Sequence, residues 1–232
     1  MPNISQIKST ARDCLVNHIG IAINATLIYV FIYAIVIYFV TPSYGNIATA
    51  AWAEIASIII GLISGLFDAG FAYFYLQIIY SDEAKSFNIF HAFKEMPYKA
   101  MLLKSLMVAV SFVCEIPLLI YEFSHLGSIN YIYMIAFQLL ATILTFCFTI
   151  PVSQVFYLLQ DFPSQSVPSL MKASLKLMKG NFFAYLKLIM SFIPLILLSI
   201  LTFGVAFLWL LPYLETSKAV FYKALMEQRQ QQ

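Results

Sequence analysis

The sequence contains few charged residues, and this scarcity excludes most classes of soluble protein. Only 10% of its 232 residues are Asp, Glu, Lys or Arg, whereas 62% are hydrophobic. Soluble domains carry about 25% charged residues and about 45 to 50% apolar ones. No polar stretch of the chain is long enough to fold as a separate soluble domain. We therefore predict a single integral membrane domain that covers residues 1–232.

Cysteines are also scarce, and their spacing argues against a metal site or a disulfide framework. Cys14, Cys114 and Cys147 form no CxxC pair, and we interpret them as small core residues. The three histidines lie in separate segments, which argues against a three-histidine metal site. The sequence contains no GxSxG, HExxH, Walker A or GxGxxG motif. We therefore predict a protein that is not an enzyme and that needs no cofactor.

Long apolar runs are abundant, and they predict helices that cross a membrane. A transmembrane helix needs about 20 apolar residues, and six segments approach that length. They cover residues 19–40, 57–80, 100–121, 131–154, 182–202 and 204–222. We predict an all-α polytopic fold with six transmembrane helices. The connection at Phe203 and Gly204 is very short, so the last two segments form either a full hairpin or a re-entrant one.

The positions of the basic residues predict the orientation of these helices. If both termini are cytoplasmic, all thirteen Lys and Arg residues lie on or near the cytoplasmic side. The predicted outer connections, at residues 41–46, 122–130 and 203–204, then contain none. Cytoplasmic loops of membrane proteins are enriched in Lys and Arg. This positive-inside pattern predicts that the amino and carboxyl termini both face the cytoplasm.

Three cytoplasmic segments mix basic and apolar residues in a pattern typical of amphipathic helices. They cover residues 3–16, 81–98 and 168–180, and each leads into a predicted span. We expect these helices to lie in the lipid interface. The lysines that are candidates for contact with anionic lipid headgroups are Lys172, Lys176, Lys179 and Lys187. The alternative interpretation is ordinary positive-inside charge with no specific ligand.

A few polar residues lie inside the predicted spans, and the cost of placing them there makes them candidates for function. A charge near the bilayer centre costs about 2.5 to 3.5 kcal/mol on insertion scales. The candidate intramembrane polar site consists of Asp68, Glu115, Gln138, Thr142 and Glu215. In one interpretation these residues form a proton or cation site. In the other they are hydrogen-bonded contacts between helices, and Glu215 pairs with Lys218.

The second predicted span also contains a pattern of small residues beside Asp68. Gly61 and Gly65 are four residues apart in the run GLISG, so they lie on one face of a helix. Small residues at this spacing let another helix approach closely. We therefore predict that Gly61 and Gly65 are helix-packing positions, and Asp68 follows them on the same face.

Several short motifs lie close together in the last third of the chain. They are Met178-Lys179-Gly180-Asn181, Ser191-Phe192-Ile193, Gly204, Trp209, Pro212-Tyr213, Thr216 and Phe221-Tyr222. This region resembles the C-terminal part of a bacterial integral membrane family described as domain of unknown function nine-seven-five. The resemblance implies a six-span helical protein of the bacterial cytoplasmic membrane. It also implies a distant similarity to the membrane portion of some glycerophosphodiester phosphodiesterases, without their catalytic barrel.

Two hypotheses about function follow from these features. The first is a non-enzymatic membrane protein with a role in envelope maintenance or as an accessory component. It would act through membrane lipids, including anionic headgroups, through a membrane protein partner, or as a homo-oligomer. The second is a small secondary transporter or channel that uses the intramembrane acids Asp68, Glu115 and Glu215. Neither hypothesis involves a nucleic-acid partner.

Overall fold

The computed structural model describes residues 3–40, 47–81, 84–125 and 130–230, and these ranges are helical with no strand. The α-helices are α1 (Ile4–Val16), α2 (Ile19–Val40), α3 (Ile47–Tyr80), α4 (His91–Glu95), α5 (Pro97–Ser124), α6 (Tyr131–Thr149), α7 (Val155–Asp161), α8 (Val167–Met178), α9 (Phe182–Met190), α10 (Ile193–Leu201) and α11 (Phe207–Gln230). Short 3-10 helices, Ser86–Phe90 and Ile150–Val152, precede α4 and α7. The predicted outer connection at residues 41–46 lies outside the described residues, as does part of the connection at residues 122–130.

Five helical stretches of the described chain are long and apolar enough to cross a membrane. They are Ile19–Tyr38, Ile55–Tyr80, Pro97–Glu122, Tyr131–Asp161 and Phe182–Leu201. The all-helical, multi-pass membrane class is therefore confirmed. α11 covers residues 207–222 of the predicted sixth span, but Glu215, Lys218 and Lys223 make this helix less apolar than the other five stretches. The sixth span and the cytoplasmic orientation of the termini stay predictions.

α3 packs against several other parts of the bundle. It contacts α5, α7, α11 and the segment that contains α4. A Cβ atom at Gly65 would overlap Lys104 Cβ of α5, and one at Gly61 would lie 3.1 Å from Val108 Cγ2. The two glycines thus lie where α5 crosses α3, and the absence of their side chains brings the two backbones together.

α1 is an amphipathic helix that packs on α11. Its buried residues are Ile7, Ala11 and Leu15. Their four-residue spacing places them on one face of the helix. Lys8 Nζ donates to the Ser191 carbonyl oxygen at 3.3 Å and lies 4.5 Å from the centroid of the Phe192 ring. Burial and the neighbouring Arg12 lower the pKa of Lys8, and the cation fixes α1 beside the break between α9 and α10.

The last hairpin reverses direction at Phe203 and Gly204, between α10 and α11. Both residues have positive φ, 52° and 87°, and glycine adopts this conformation at little cost. The Gly204 amide donates to the Ser199 carbonyl oxygen at 2.8 Å, which closes the carboxyl end of α10. The chain then returns along the bundle as α11, which brings Glu215 back toward α3.

Candidate functional site

A cavity of about 500 Å³ lies between α2, α3, α5, α9, α11 and the stretch from α6 to α7. We call it the central cavity. Its charged lining residues are Asp68, Glu215 and Lys218. Small-molecule binding sites typically have volumes of about 300 to 1,000 Å³, so the central cavity is large enough for a small organic molecule or a lipid headgroup.

Asp68 lies on α3 and forms an ion pair with a lysine of α5. Lys104 Nζ donates to Asp68 Oδ2 at 2.7 Å, and the Asp68 side chain remains 38% exposed. Gly65 precedes Asp68 by three residues and so lies on the same face of α3. Because Gly65 has no side chain, α5 comes close enough for Lys104 to contact the glycine with its Cβ and the carboxylate with its ammonium.

Glu215 carries the second carboxylate of the central cavity. Lys218 Nζ donates to Glu215 Oε1 at 2.6 Å, and the Glu215 side chain is 29% exposed. The two residues are three positions apart on α11, so they lie on the same face of the helix. This is the pair that the helix-contact interpretation of the sequence expects. Both acids of the cavity have a basic partner, and both still present a surface to the cavity.

Aromatic side chains form much of the remaining wall of the central cavity. They are Tyr29, Phe71, Tyr75, Phe146, Phe156, Tyr157 and Tyr185. Tyr29 meets Phe71 edge to face at a centroid distance of 5.3 Å, and Phe71 stacks on Tyr75 at 6.0 Å. These rings come from α2, α3, α6, α7 and α9, so the aromatic wall exists only when the helices assemble.

The hydroxyl group of Tyr75 is buried within this wall. The residue is 1% exposed, and its hydroxyl oxygen is closed off from the cavity and makes no hydrogen bond of ordinary geometry among the described residues. The Thr26 side chain, which also lines the cavity, lies beside it and interacts with it. The hydroxyl therefore belongs to the packed interior of the wall.

A second buried polar side chain lies behind the cavity wall. Gln154 is 0% exposed, and its Nε2 donates to the Oγ of Ser153, a lining residue, at 2.8 Å. The Gln154 Oε1 atom has no partner within the part of the chain that the structure describes. Of the stretch between α6 and α7, Ser153 is thus the polar residue that lines the cavity, and Gln154 supports it from behind.

The structure brings together two of the five residues of the predicted polar site. Asp68 and Glu215 both line the central cavity, whereas Glu115, Gln138 and Thr142 are not among its lining residues. Gln138 and Thr142 are exposed on α6, and Thr142 Oγ1 donates to the Gln138 carbonyl oxygen at 2.8 Å. The five-residue site as a functional unit stays a prediction.

The sequence interpretation missed the tyrosines of the cavity. On α3 a signal was present, because Asp68, Phe71 and Tyr75 are spaced by three and four residues and so follow one helix face. For Tyr157 and Tyr185 the sequence holds no such signal. These two residues come from different helices, and only the packing of α7 and α9 brings them to the same cavity.

The candidate headgroup lysines lie apart from the central cavity. The side chains of Lys172, Lys176, Lys179 and Lys187 are all exposed. α8 turns the opposite face inward, where Leu170, Ser174 and Leu177 are buried. The lysines are therefore accessible to an anionic surface, and their contact with headgroups stays a prediction.

No group of three or more His, Cys, Asp or Glu side chains in residues 3–40, 47–81, 84–125 and 130–230 lies close enough to hold a metal ion. The side chains that line the central cavity carry carboxylates, an ammonium, hydroxyls and aromatic rings. Groups of these kinds bind and orient polar or charged molecules.

Comparison with known proteins identifies a family. No curated protein and no solved structure matches the chain, so the distant similarity to the phosphodiesterase membrane portion stays a prediction. A family model described as "Protein of unknown function (DUF975)" matches residues 1–229. Since this match covers nearly the whole chain, the protein belongs to the DUF975 family.

Proposed function

We propose that the protein is a small secondary transporter and that the central cavity is its substrate site. The observation that supports this proposal best is the position of Asp68 and Glu215, which come from different helices and line the same cavity of about 500 Å³. If the two acids served only as contacts between helices, they would need no shared open volume.

Access of water to the cavity tests this proposal without knowledge of the substrate. Cysteine reacts with maleimides as the thiolate, which forms where water solvates it. We expect Ala72→Cys, in the cavity wall, to react about tenfold faster or more than Ala69→Cys. Ala69 is a matched control because it lies on α3, is fully buried and is not a lining residue.

The measurement uses full-length protein in lipid nanodiscs, with Cys14, Cys114 and Cys147 replaced by alanine. Labelling is followed by mass spectrometry over time at fixed pH. Equal, slow labelling at positions 69 and 72 would show a dry cavity and would reject the transporter proposal.

We also propose the topology that the sequence predicts, with α11 as the sixth span and both termini in the cytoplasm of a bacterial cell. The supporting observation is the short turn at Phe203 and Gly204, which returns α11 along α10. Impermeant labelling of tags at the two ends of the chain in intact cells tests this topology. Both tags should stay unlabelled until the membrane is opened.

A second candidate function is the non-enzymatic role that acts through lipid partners. The observation in its favour is the row of exposed lysines on and after α8, opposite its buried apolar face. Basic clusters of this kind attract anionic headgroups by about 1 kcal/mol per residue near the surface. Replacement of Lys172, Lys176 and Lys179 by glutamine should then reduce the enrichment of anionic over zwitterionic lipid that copurifies with the protein. Unchanged enrichment would reject this function.

A further inference from the structure

The central cavity has a side that no helix contact closes. Phe146 of α6, Ile189 of α9 and Leu211 of α11 all line the cavity. In the part of the chain that the structure describes, α6 makes at most marginal contact with α9, α10 and α11. It packs instead on α5 and on the 3-10 helix Ile150–Val152, and that short helix packs on α9. A gap therefore remains beside Phe146, Ile189 and Leu211, and we call it the lateral opening.

The surface around the lateral opening is apolar and belongs to helices that can cross a membrane. Phe146 is 52% exposed although it lines the cavity, and Leu197 of α10 is 56% exposed. Both residues lie in stretches that are long and apolar enough to span a bilayer, Tyr131–Asp161 and Phe182–Leu201. Apolar side chains of spanning helices that no other helix covers lie against lipid chains. The lateral opening therefore leads to lipid.

The far end of the cavity is more polar and is closed. On α11, Leu211 lies near the turn that joins α10 to α11, and Lys218 lies about two helical turns farther from it. Tyr157 of α7 and Tyr185 of α9 also lie at the far end, because their rings contact rings of α11 beyond Lys218. Both tyrosines are buried. The cavity thus changes from apolar and open at the lateral opening to polar and enclosed at the far end.

The charged groups of the cavity are balanced, so polarity is the property that the far end presents to a ligand. Glu215 is paired with Lys218, and Asp68 with Lys104. A volume of about 500 Å³ lies in the range of small-molecule sites, which is enough for a headgroup and the first part of a hydrocarbon chain. The rest of such a chain can extend through the lateral opening into the bilayer.

We infer that the central cavity takes a lipid-like amphiphile from the bilayer through the lateral opening. Its polar headgroup lies beside Glu215 and Lys218, and its hydrocarbon chain passes between Phe146 and Leu211. This inference rests on the proposed function, because it names the substrate class of the same cavity. It goes beyond that function because a transporter cavity of this size could equally take a water-soluble molecule.

Two photoreactive lipids test both the binding and its orientation. Phosphatidylcholine with a diazirine either on the headgroup or at the end of one acyl chain is a minor component of nanodiscs that hold the full chain. After illumination, tandem mass spectrometry identifies the labelled residues. We expect the headgroup probe to label Glu215 and its neighbours in the cavity wall, and the chain probe to leave them unlabelled. Lipid that only surrounds the protein would place no headgroup there.

A substitution at the lateral opening and a matched control locate the path of entry. Leu211→Trp places a larger side chain in the opening, and it should lower headgroup labelling at Glu215 by about fivefold or more. Leu139→Trp is the control, since Leu139 is 59% exposed on α6 and does not line the cavity, and it should leave that labelling unchanged. The comparison of the two probes uses the unaltered chain, so it stands even if Leu211→Trp fails to fold.

The outcomes separate this inference from the proposed function. Headgroup labelling confined to residues outside the cavity would overturn the inference, and so would equal labelling of Glu215 by the two probes. Labelling of Glu215 that a folded Leu211→Trp variant does not lower would also overturn it, because the lipid would then enter elsewhere. In each of these cases, fast labelling of Ala72→Cys would still support a ligand cavity. Slow labelling of Ala72→Cys together with headgroup labelling of Glu215 would support the lipid site and reject transport.

Discussion

α3 and α6 are both long apolar helices with polar residues at helical spacing, yet these residues lie in different environments. On α3, Asp68 and Tyr75 line the central cavity. On α6, Gln138 and Thr142 are exposed. The difference follows from the neighbours, because α3 packs against α5, α7 and α11, whereas α6 packs mainly on α5. The polar residues of a helix therefore identify the face that differs from its apolar surface. The packing of the neighbouring helices decides whether that face is buried.

The chemistry of the side chains explains why both arrangements are stable. A threonine hydroxyl can donate to a carbonyl of its own helix, as Thr142 does, so it needs no other partner in lipid. A carboxylate cannot satisfy itself in this way and needs a cation, water or a ligand. Asp68 has Lys104 at 2.7 Å. Two of the three acids predicted within spans, Asp68 and Glu215, line the cavity, whereas Glu115 does not.

The substitution with the largest expected effect tests whether the close contact of α3 with α5 stabilises the helix bundle. Gly65→Leu would force a side chain into Lys104 and toward the Ala100 carbonyl oxygen, 3.0 Å from the added Cβ. Overpacking of this kind costs about 1 to 3 kcal/mol, and we expect the upper end because backbone is involved. The measurement is the free energy of unfolding in detergent. Gly20→Leu is the control, since no atom lies within 4 Å of a Cβ placed there. Similar losses at both glycines would contradict the packing role of Gly65.

The next effect concerns the ion pair between Asp68 and Lys104. Asp68→Asn leaves the Lys104 ammonium without its carboxylate, and we expect a loss of about 1 to 2 kcal/mol, less than the 3 to 5 kcal/mol for fully buried pairs. The reduction reflects the 38% exposure of Asp68, which lets solvent screen the charge. The double variant Asp68→Asn, Lys104→Gln should recover part of the loss.

A double-mutant cycle measured by unfolding in detergent gives the coupling between the two residues. We expect about 1 kcal/mol. A coupling near zero would mean that the surroundings of the cavity stabilise Asp68 and that Lys104 does not. The polar face of α3 would then resemble that of α6, in that a neighbouring helix would not stabilise it.

The sequence predicts the helices of this protein better than it predicts the site. Helix length and hydropathy are local properties, so five of the six predicted spans coincide with apolar helices. The amphipathic character of α1 is also local, since Ile7, Ala11 and Leu15 recur every four residues. Asp68, Lys104 and Glu215 stand out because charge is rare in the spans. That Lys104 meets Asp68, and that Tyr157 lines the same cavity, depends on how the helices pack and is not visible in the sequence.

We expect the smallest effect from a Thr→Val substitution, which can be made both in the cavity wall and on the exposed face of α6. Thr26 lines the central cavity, is 3% exposed and donates to the Ala22 carbonyl oxygen at 2.9 Å. Thr142 makes the equivalent bond on the exposed face of α6. Thr26→Val should cost about 1 kcal/mol, because it removes a buried hydrogen bond and the hydroxyl that lies beside the Tyr75 hydroxyl. Thr142→Val should change the unfolding free energy by less than about 0.5 kcal/mol.

Thr142 also shows how far the polar site extends. If Gln138 and Thr142 belong to one water-accessible site with Asp68, as one interpretation of the sequence holds, Thr142→Cys should react with a maleimide about as fast as Ala72→Cys does. The structure favours the opposite result, because Thr142 lies outside the cavity wall, on the exposed face of α6. Lipid against that face would deny the thiolate its solvation, so we expect Thr142→Cys in nanodiscs to react about tenfold more slowly than Ala72→Cys. Equal rates at both positions would require α6 to turn its polar face toward water.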